Sequence, residues 1–209
     1  MKERMKNYPA SLEIDYLGRS DRLSTLFRLF MAVPILIILA LIVGPPDNQD
    51  MANAAKDIST IGFLFVPTLL MILFRKKYPK WWFDWNLSLT KFTVRVLSYI
   101  LLLRDEYPST DDEQAIYIEI KYPNSETDLN RWLPLIKWFL VIPHIIVLSL
   151  FFMIVFLCTI IAWFSIMFTE NYPKGLFSLV VGFLRWSLRV ATYAFLLTTD
   201  KYPPFGFEE

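Results

Sequence analysis

One cysteine, one histidine and six glycines in 209 residues remove most familiar chemistry before any motif is sought. Cys158 sits in an apolar run and permits no intrachain disulfide and no thiolate metal cluster. It reads as a small buried hydrophobe. His144 has no second His, Cys or carboxylate three or four residues away, so a metal site built on it is incomplete. The scattered glycines leave no phosphate-cradling loop, and no Walker A, GxSxG, HExxH or GxGxxG pattern occurs. Asp105, Glu106, Asp111, Asp112, Glu113, Glu126 and Asp128 form no hydrolytic pair and read as a solvated charge run. No enzyme, cofactor or metal is expected. A formal net charge of +1 gives no long-range basic field, so nucleic acid is not an expected partner. Met1 to Arg22 hold no apolar h-region, so no cleavable signal peptide is expected there.

What the chain has in abundance is hydrocarbon. It is 55% hydrophobic with a mean hydropathy of +0.41, and its charges cluster between long apolar runs. An integral membrane protein is the expected class. Leu23 to Gly44, interrupted by Arg28 and Pro34, is long enough at about 1.5 Å per residue to span a core of roughly 30 Å. Pro45 to Asp50 end it with turn formers and acids, and a second run follows from Ile58 to Phe74. Lys2, Arg4, Lys6, Arg19 and Arg22 precede this hairpin, Lys56 alone lies between its arms, and Arg75, Lys76, Lys77 and Lys80 follow it. That asymmetry predicts both ends on the cytoplasmic side.

Positions 74–106 return 94 residues later as 168–200. Phe74, Tyr78, Pro79, Lys80, Phe83, Arg95, Val96, Tyr99, Leu102 and Leu103 reappear as Phe168, Tyr172, Pro173, Lys174, Phe177, Arg189, Val190, Tyr193, Leu196 and Leu197. The unit is a block of roughly 100 residues used twice. In the second copy Leu133 to Phe168 is almost unbroken apolar sequence, with Lys137 and His144 as exceptions. Analogy with the first copy predicts two short helices joined by a tight turn near Ser149. His144 follows Pro143, where its expected role is to satisfy a carbonyl freed by the proline.

A third helix is expected in each copy, Trp81 to Leu103 and Gly175 to Leu197. Asp84, Ser88, Lys91, Arg95 and Ser98 form one narrow stripe on the first; Ser178, Gly182, Arg185, Arg189 and Thr192 match it on the second. Such a helix either lies in the interface or crosses with its stripe toward a partner. The interface is favoured, because two cations per copy lack obvious carboxylate partners and a lone Arg at the bilayer centre costs roughly 2.5–3.5 kcal/mol. Ser11 to Tyr16 and Ile116 to Tyr122 alternate apolar and polar residues and read as half-buried strands, able to pair across a pseudo-twofold axis. Six Tyr-Pro pairs, at 8, 78, 107, 122, 172 and 202, mark where membrane elements begin and end.

The stretches WLPLIKWFLVIPHIIVL, IAWFSIMFTENYPKGLF and VVGFLRWSLRVATYAFLLTTDKYPPF resemble the bacterial membrane family known as domain of unknown function 4389. FRLFMAVP, KKYPK, TVRVLSY and EYP make the first half a divergent version. The resemblance implies a multi-helix membrane module with amphipathic helices, and it supplies no catalytic residues.

The expected fold is therefore an all-α integral membrane protein of two tandem repeats. Each is a transmembrane helical hairpin plus a basic amphipathic helix, with short cytoplasmic β-strands. Residues 11–108 form the first repeat, 109–115 an acidic linker and 116–205 the second. The expected function is a non-enzymatic, lipid-contacting scaffold or accessory subunit of a larger complex in the bacterial cytoplasmic membrane, with both termini cytoplasmic. The alternative is a small anion or solute transporter or channel with a basic interior. Lys91, Arg95, Arg185 and Arg189 are the candidate headgroup contacts, with His144 as an intramembrane polar residue. Expected partners are membrane lipids, anionic ones included, with other membrane subunits or a second copy.

Overall fold

The computed structural model describes residues 8–43, 54–110, 112, 114–125 and 127–207, and the side chains of these except at 41–43 and 54–64. The expected turn at 45–50, the arm cations Lys2, Arg4 and Lys6, the acids Asp111, Glu113 and Glu126, and the Lys56 side chain lie outside the described residues. Five helices and two strands occur among the described residues. They are β1 (Ala10–Ile14), α1 (Arg22–Val43), α2 (Ala54–Arg75), α3 (Lys80–Ile100), β2 (Ile116–Ile120), α4 (Leu133–Thr169) and α5 (Lys174–Ala194). α1, α4 and α5 are long and apolar enough to cross a membrane.

Most boundaries follow the local chemistry. Pro79 and Pro173 precede α3 and α5 in extended conformation, where a missing N–H costs nothing. α2 and α4 both end on a left-handed residue, Lys76 (φ 47°) and Glu170 (φ 60°), whose N–H closes the last turn onto Ile72 O and Ile166 O.

The expected turn near Ser149 does not exist. α4 is one helix of 37 residues running through that position. Its sequence contains no Gly, Asn or Asp, and the Ser149 hydroxyl donates back to Ile146 O at 2.7 Å. That bond satisfies the side chain inside the helix, so nothing there favours leaving it. The second half thus carries no helical hairpin. Pro34, Pro67 and Pro143 are all accommodated within helices.

The expected strand pairing is present. β1 and β2 are antiparallel, with Ala10 opposite Ile120, Leu12 opposite Ile118 and Ile14 opposite Ile116. Those six side chains are buried, while Ser11, Glu13, Tyr117 and Glu119 point outward and are exposed. The period-2 pattern read from sequence is the inside–outside alternation of this ribbon.

Each strand packs on an amphipathic helix, β1 on α5 from the far end of the chain and β2 on α3, the element just before it. Tyr8 donates to Arg189 O (3.0 Å), Arg185 Nε to Leu12 O (2.7 Å) and Tyr16 to Tyr172 O (2.6 Å), so β1 runs antiparallel to α5. β2 packs on α3, and Tyr122 donates to Tyr78 O (2.5 Å). Behind α5 lies α4, and behind α3 lies α1. The result is two stacks, β1–α5–α4 and β2–α3–α1, joined at the strands and where α1 and α2 pack against α4. One apolar cluster ties Leu12 and Ile118 to Val180, Val181 and Leu184 of α5 and to Val155, Cys158, Ala162 and Ile166 of α4.

Leu12 is 2% exposed at the middle of this junction. Leu12→Ala should lower stability in detergent by about 2–5 kcal/mol, the range for emptying a packed leucine site. Chemical denaturation followed by far-UV circular dichroism measures it.

Candidate membrane-contact site

The outermost helices, α1 and α4, turn large apolar side chains outward along their described residues. Leu23, Leu29, Phe30 and Ile37 of α1 are exposed, as are Phe139, Ile146, Met153, Phe156 and Phe168 of α4. Contiguous apolar surface on this scale marks a membrane or protein contact. Exposed cations gather at the helix ends instead: Arg75, Lys76 and Lys77 at the end of α2, Arg131 before α4, and Arg19 and Arg22 at the start of α1.

Among the described residues, one cation lies inside α1 and one inside α4, and each is paired with a carboxylate. Arg28 of α1 is 2% exposed. It forms an ion pair with Asp105, donates to Tyr99 O and Arg104 O at 3.2 Å each, and lies 4.7 Å from the Tyr99 ring centre. Lys137 of α4 has no exposed surface. It contacts Asp200 at 2.8 Å, donates to Thr199 O at 2.7 Å and lies 4.9 Å from the Tyr193 ring centre. Each carboxylate comes from the segment just after the following amphipathic helix, so each pair locks that helix's end against the apolar one. Asp105 and Glu106 are therefore not part of a free charge run, since Glu106 pairs with Arg104. Sequence reasoning passed over Arg28 and Lys137 as interruptions. The available signal was spacing, because each stands six residues before a proline, Pro34 and Pro143.

The helix ends are clamped across the two halves. Arg22 donates to Phe168 O (3.2 Å) and pairs with Glu170 (3.2 Å), which Arg19 also contacts (2.5 Å). Arg131 does the same for α2, donating to Leu73 O and, at 3.0 Å, to Phe74 O. Cations on terminal carbonyls satisfy orphan acceptors and oppose the helix dipole. Tyr8 and Tyr78, which donate to Arg189 O and Leu196 O, are held protonated: burial pushes the Tyr8 phenol up to about 12 and raises that of Tyr78 as well.

Of the expected headgroup contacts, three face inward onto main chain. Arg95 donates to Ser109 O (2.8 Å), Arg185 to Leu12 O (2.7 Å) and Arg189 to Gly206 O (2.5 Å). Lys91 is half-buried on α3. The stripe does run down one face of each third helix, but on α5 the strand and the C-terminal segment cover much of it. Gly182 belongs to that covered face. A Cβ there would stand 2.5 Å from the Cβ of Phe207.

His144 does not serve a carbonyl freed by Pro143. Its Nδ1 accepts the Trp186 indole N–H at 3.0 Å, and the Phe205 ring stacks on it at 3.9 Å. The neutral tautomer therefore carries its proton on Nε2. Among the described residues no group of three His, Cys, Asp or Glu side chains is placed to hold a metal ion.

Two substitutions probe these contacts. Asp200→Asn leaves Lys137 as an unpaired cation in a dry site and should cost about 3–5 kcal/mol. Lys137→Met should cost less, because Asp200 retains 20% of its side-chain exposure. Thermal unfolding of both in one detergent checks the order. Gly182→Val should displace Phe207, and faster carboxypeptidase release of the C-terminal residues reports it.

No curated protein and no solved structure matches this chain. Residues 132–207, which hold α4, α5 and the segment that closes over His144, match the family model described as Domain of unknown function (DUF4389), and that match supports placing this part of the chain in that family.

Proposed function

We propose that this chain is a non-enzymatic membrane scaffold, a lipid-contacting or accessory subunit of a larger complex in the bacterial cytoplasmic membrane, with both termini cytoplasmic. The observation that carries the reading is the division of its surface. Hydrocarbon covers the flanks of α1 and α4, while exposed cations gather at helix ends where headgroups lie. The wide apolar flank also suits a second membrane subunit or a second copy. Arg95, Arg185 and Arg189 act in this reading as internal struts, with Lys91 left as the stripe's headgroup contact.

The scaffold is built from two tandem copies. Support comes from contacts that recur at matching positions: Arg28–Tyr99–Asp105 beside Lys137–Tyr193–Asp200, Arg22 on Phe168 beside Arg131 on Phe74, and Tyr16 on Tyr172 beside Tyr122 on Tyr78. The left-handed leucines refine the alignment. They are Leu102 (φ 65°) and Leu197 (φ 54°), which pairs Leu102 with Leu197 rather than Leu196.

Purified full-length protein mixed into lipid vesicles tests the reading. It should float with the vesicles after an alkaline carbonate wash. Leu150→Lys with Phe156→Lys, each side chain more than half exposed on α4, should weaken that retention, since each cation costs about 2.5–3.5 kcal/mol deep in the core. Saturable flux of chloride or phosphate through the same vesicles would replace the scaffold with a transporter.

A further inference from the structure

The two strands constrain how the molecule sits in a bilayer. The segment 8–16, which contains β1, meets α5 and the turn before it at three levels, through Tyr8 at Arg189, Leu12 at Arg185 and Tyr16 at Tyr172. This segment therefore accompanies α5 over most of its length. A ribbon of two strands has an open edge on each side, bridged on the β1 side by Arg185 at Leu12 O, and its outer face carries the exposed Glu13 and Glu119. Open strand edges do not occur against lipid, because main-chain groups there find no partner. An upright α5 would draw both edges and both carboxylates through the hydrocarbon. α5 has the length and composition of a span, but what is bound to it excludes the upright pose.

α4 follows the same axis. Lys137 near its start meets Asp200 beyond the end of α5, and His144 meets Trp186 further along. The short connection 170–173 joins the far end of α4 to the start of α5. A helix of 37 residues is about 55 Å long. Crossing while keeping that whole apolar length inside a core of roughly 30 Å would tilt it by about 57° from the normal, beyond the observed range of about 0–40°. Both ends of this layer also carry cations: Arg75, Lys76 and Arg131 at one, Arg19, Arg22 and Lys174 at the other.

From this layering we infer that the partner of the apolar face is a single leaflet: α4 lies in the membrane plane among the acyl chains of one monolayer, α3 and α5 lie above it at the interface, and the β-ribbon faces water. This rests on the membrane reading above and specifies its geometry. The near-twofold relation of the ribbon then stands along the membrane normal, so both halves meet the same leaflet in the same way. Cations at both ends of α4 meet headgroups of that one leaflet, which a crossing helix would send to opposite faces.

Depth measurement tests it on the full chain. In a Cys158→Ala background, single cysteines replace Phe139, Ile146, Met153 and Ile160, which are spaced seven apart on one face of α4 and all exposed. Each is labelled with bimane and placed in vesicles containing lipids with a nitroxide either near the ester or at the chain end. Melting temperatures equal to the unlabelled parent's show that the fold is intact. The expected result is one ratio of shallow to deep quenching at all four sites. A helix that crosses passes through about 15 Å of depth from interface to midplane. Its ratio would change severalfold and reverse along the series. That gradient overturns the in-plane placement while leaving the membrane reading standing. No quenching by either lipid overturns both.

Discussion

A lysine with no exposed surface keeps its charge only if the protein supplies what water no longer does. At Lys137 the supply is Asp200, Thr199 O and the Tyr193 ring, all from the end of α5 or the residues after it. Taking such an ion out of water costs several kcal/mol, and the site must return most of that through geometry. The residues after α5 therefore cannot drift from α4. Arg28 imposes the same condition on α1 and the end of α3 through Asp105. Generic apolar packing would let these helices slide, and the two ion pairs fix how far along one another they sit.

The halves are then welded by exchange. Each strand lies on the amphipathic helix of the other half, and each entering arginine caps an apolar helix of the other half. Each half buries its strand on the other, and the carbonyls of Phe74 and Phe168 at the helix ends are satisfied from across the junction. Isolated two-stranded ribbons are marginal in water; this one is stable because α3 and α5 give its apolar face a floor. The polar stripes of the third helices belong to that floor, which is why Arg185 and Arg189 bond main chain.

Much of this was legible in the sequence, for stated reasons. Helix boundaries were clear where Tyr-Pro pairs or basic residues stood beside apolar runs, and α3 and α5 begin at the residue after such a pair. The ribbon's two strands were clear from alternation, whereas their register, with Glu13 opposite Tyr117, had no local signal. α4 was misread because analogy with the first half was allowed to outweigh local chemistry, and the run offers no residue that prefers to leave a helix. The ion pairs were missed for a different reason. Their carboxylates lie far along the chain among other acids, and nothing local separates Asp105 from its solvated neighbours. Only the burial of Arg28 and Lys137 does, and burial is a tertiary fact.

The lone histidine shows how a chemically suggestive residue resolves into packing. On the proposed equivalence of the halves, His144 and Trp186 stand where Ile35 and Phe92 stand in the first. Ile35 and Phe92 form an apolar contact with Val96; His144 and Trp186 form a hydrogen bond in the matching place. Replacing an aliphatic–aromatic contact by an imidazole–indole pair keeps the volume roughly constant. It also gives the buried indole N–H the acceptor it needs. The cost falls on Nε2, which has no partner among the described residues. Phe205 stacks flat on the imidazole, and the Arg189 bond to Gly206 O holds that segment in place. The C-terminal segment thus completes a polar variant of a slot that the first half fills with hydrocarbon alone.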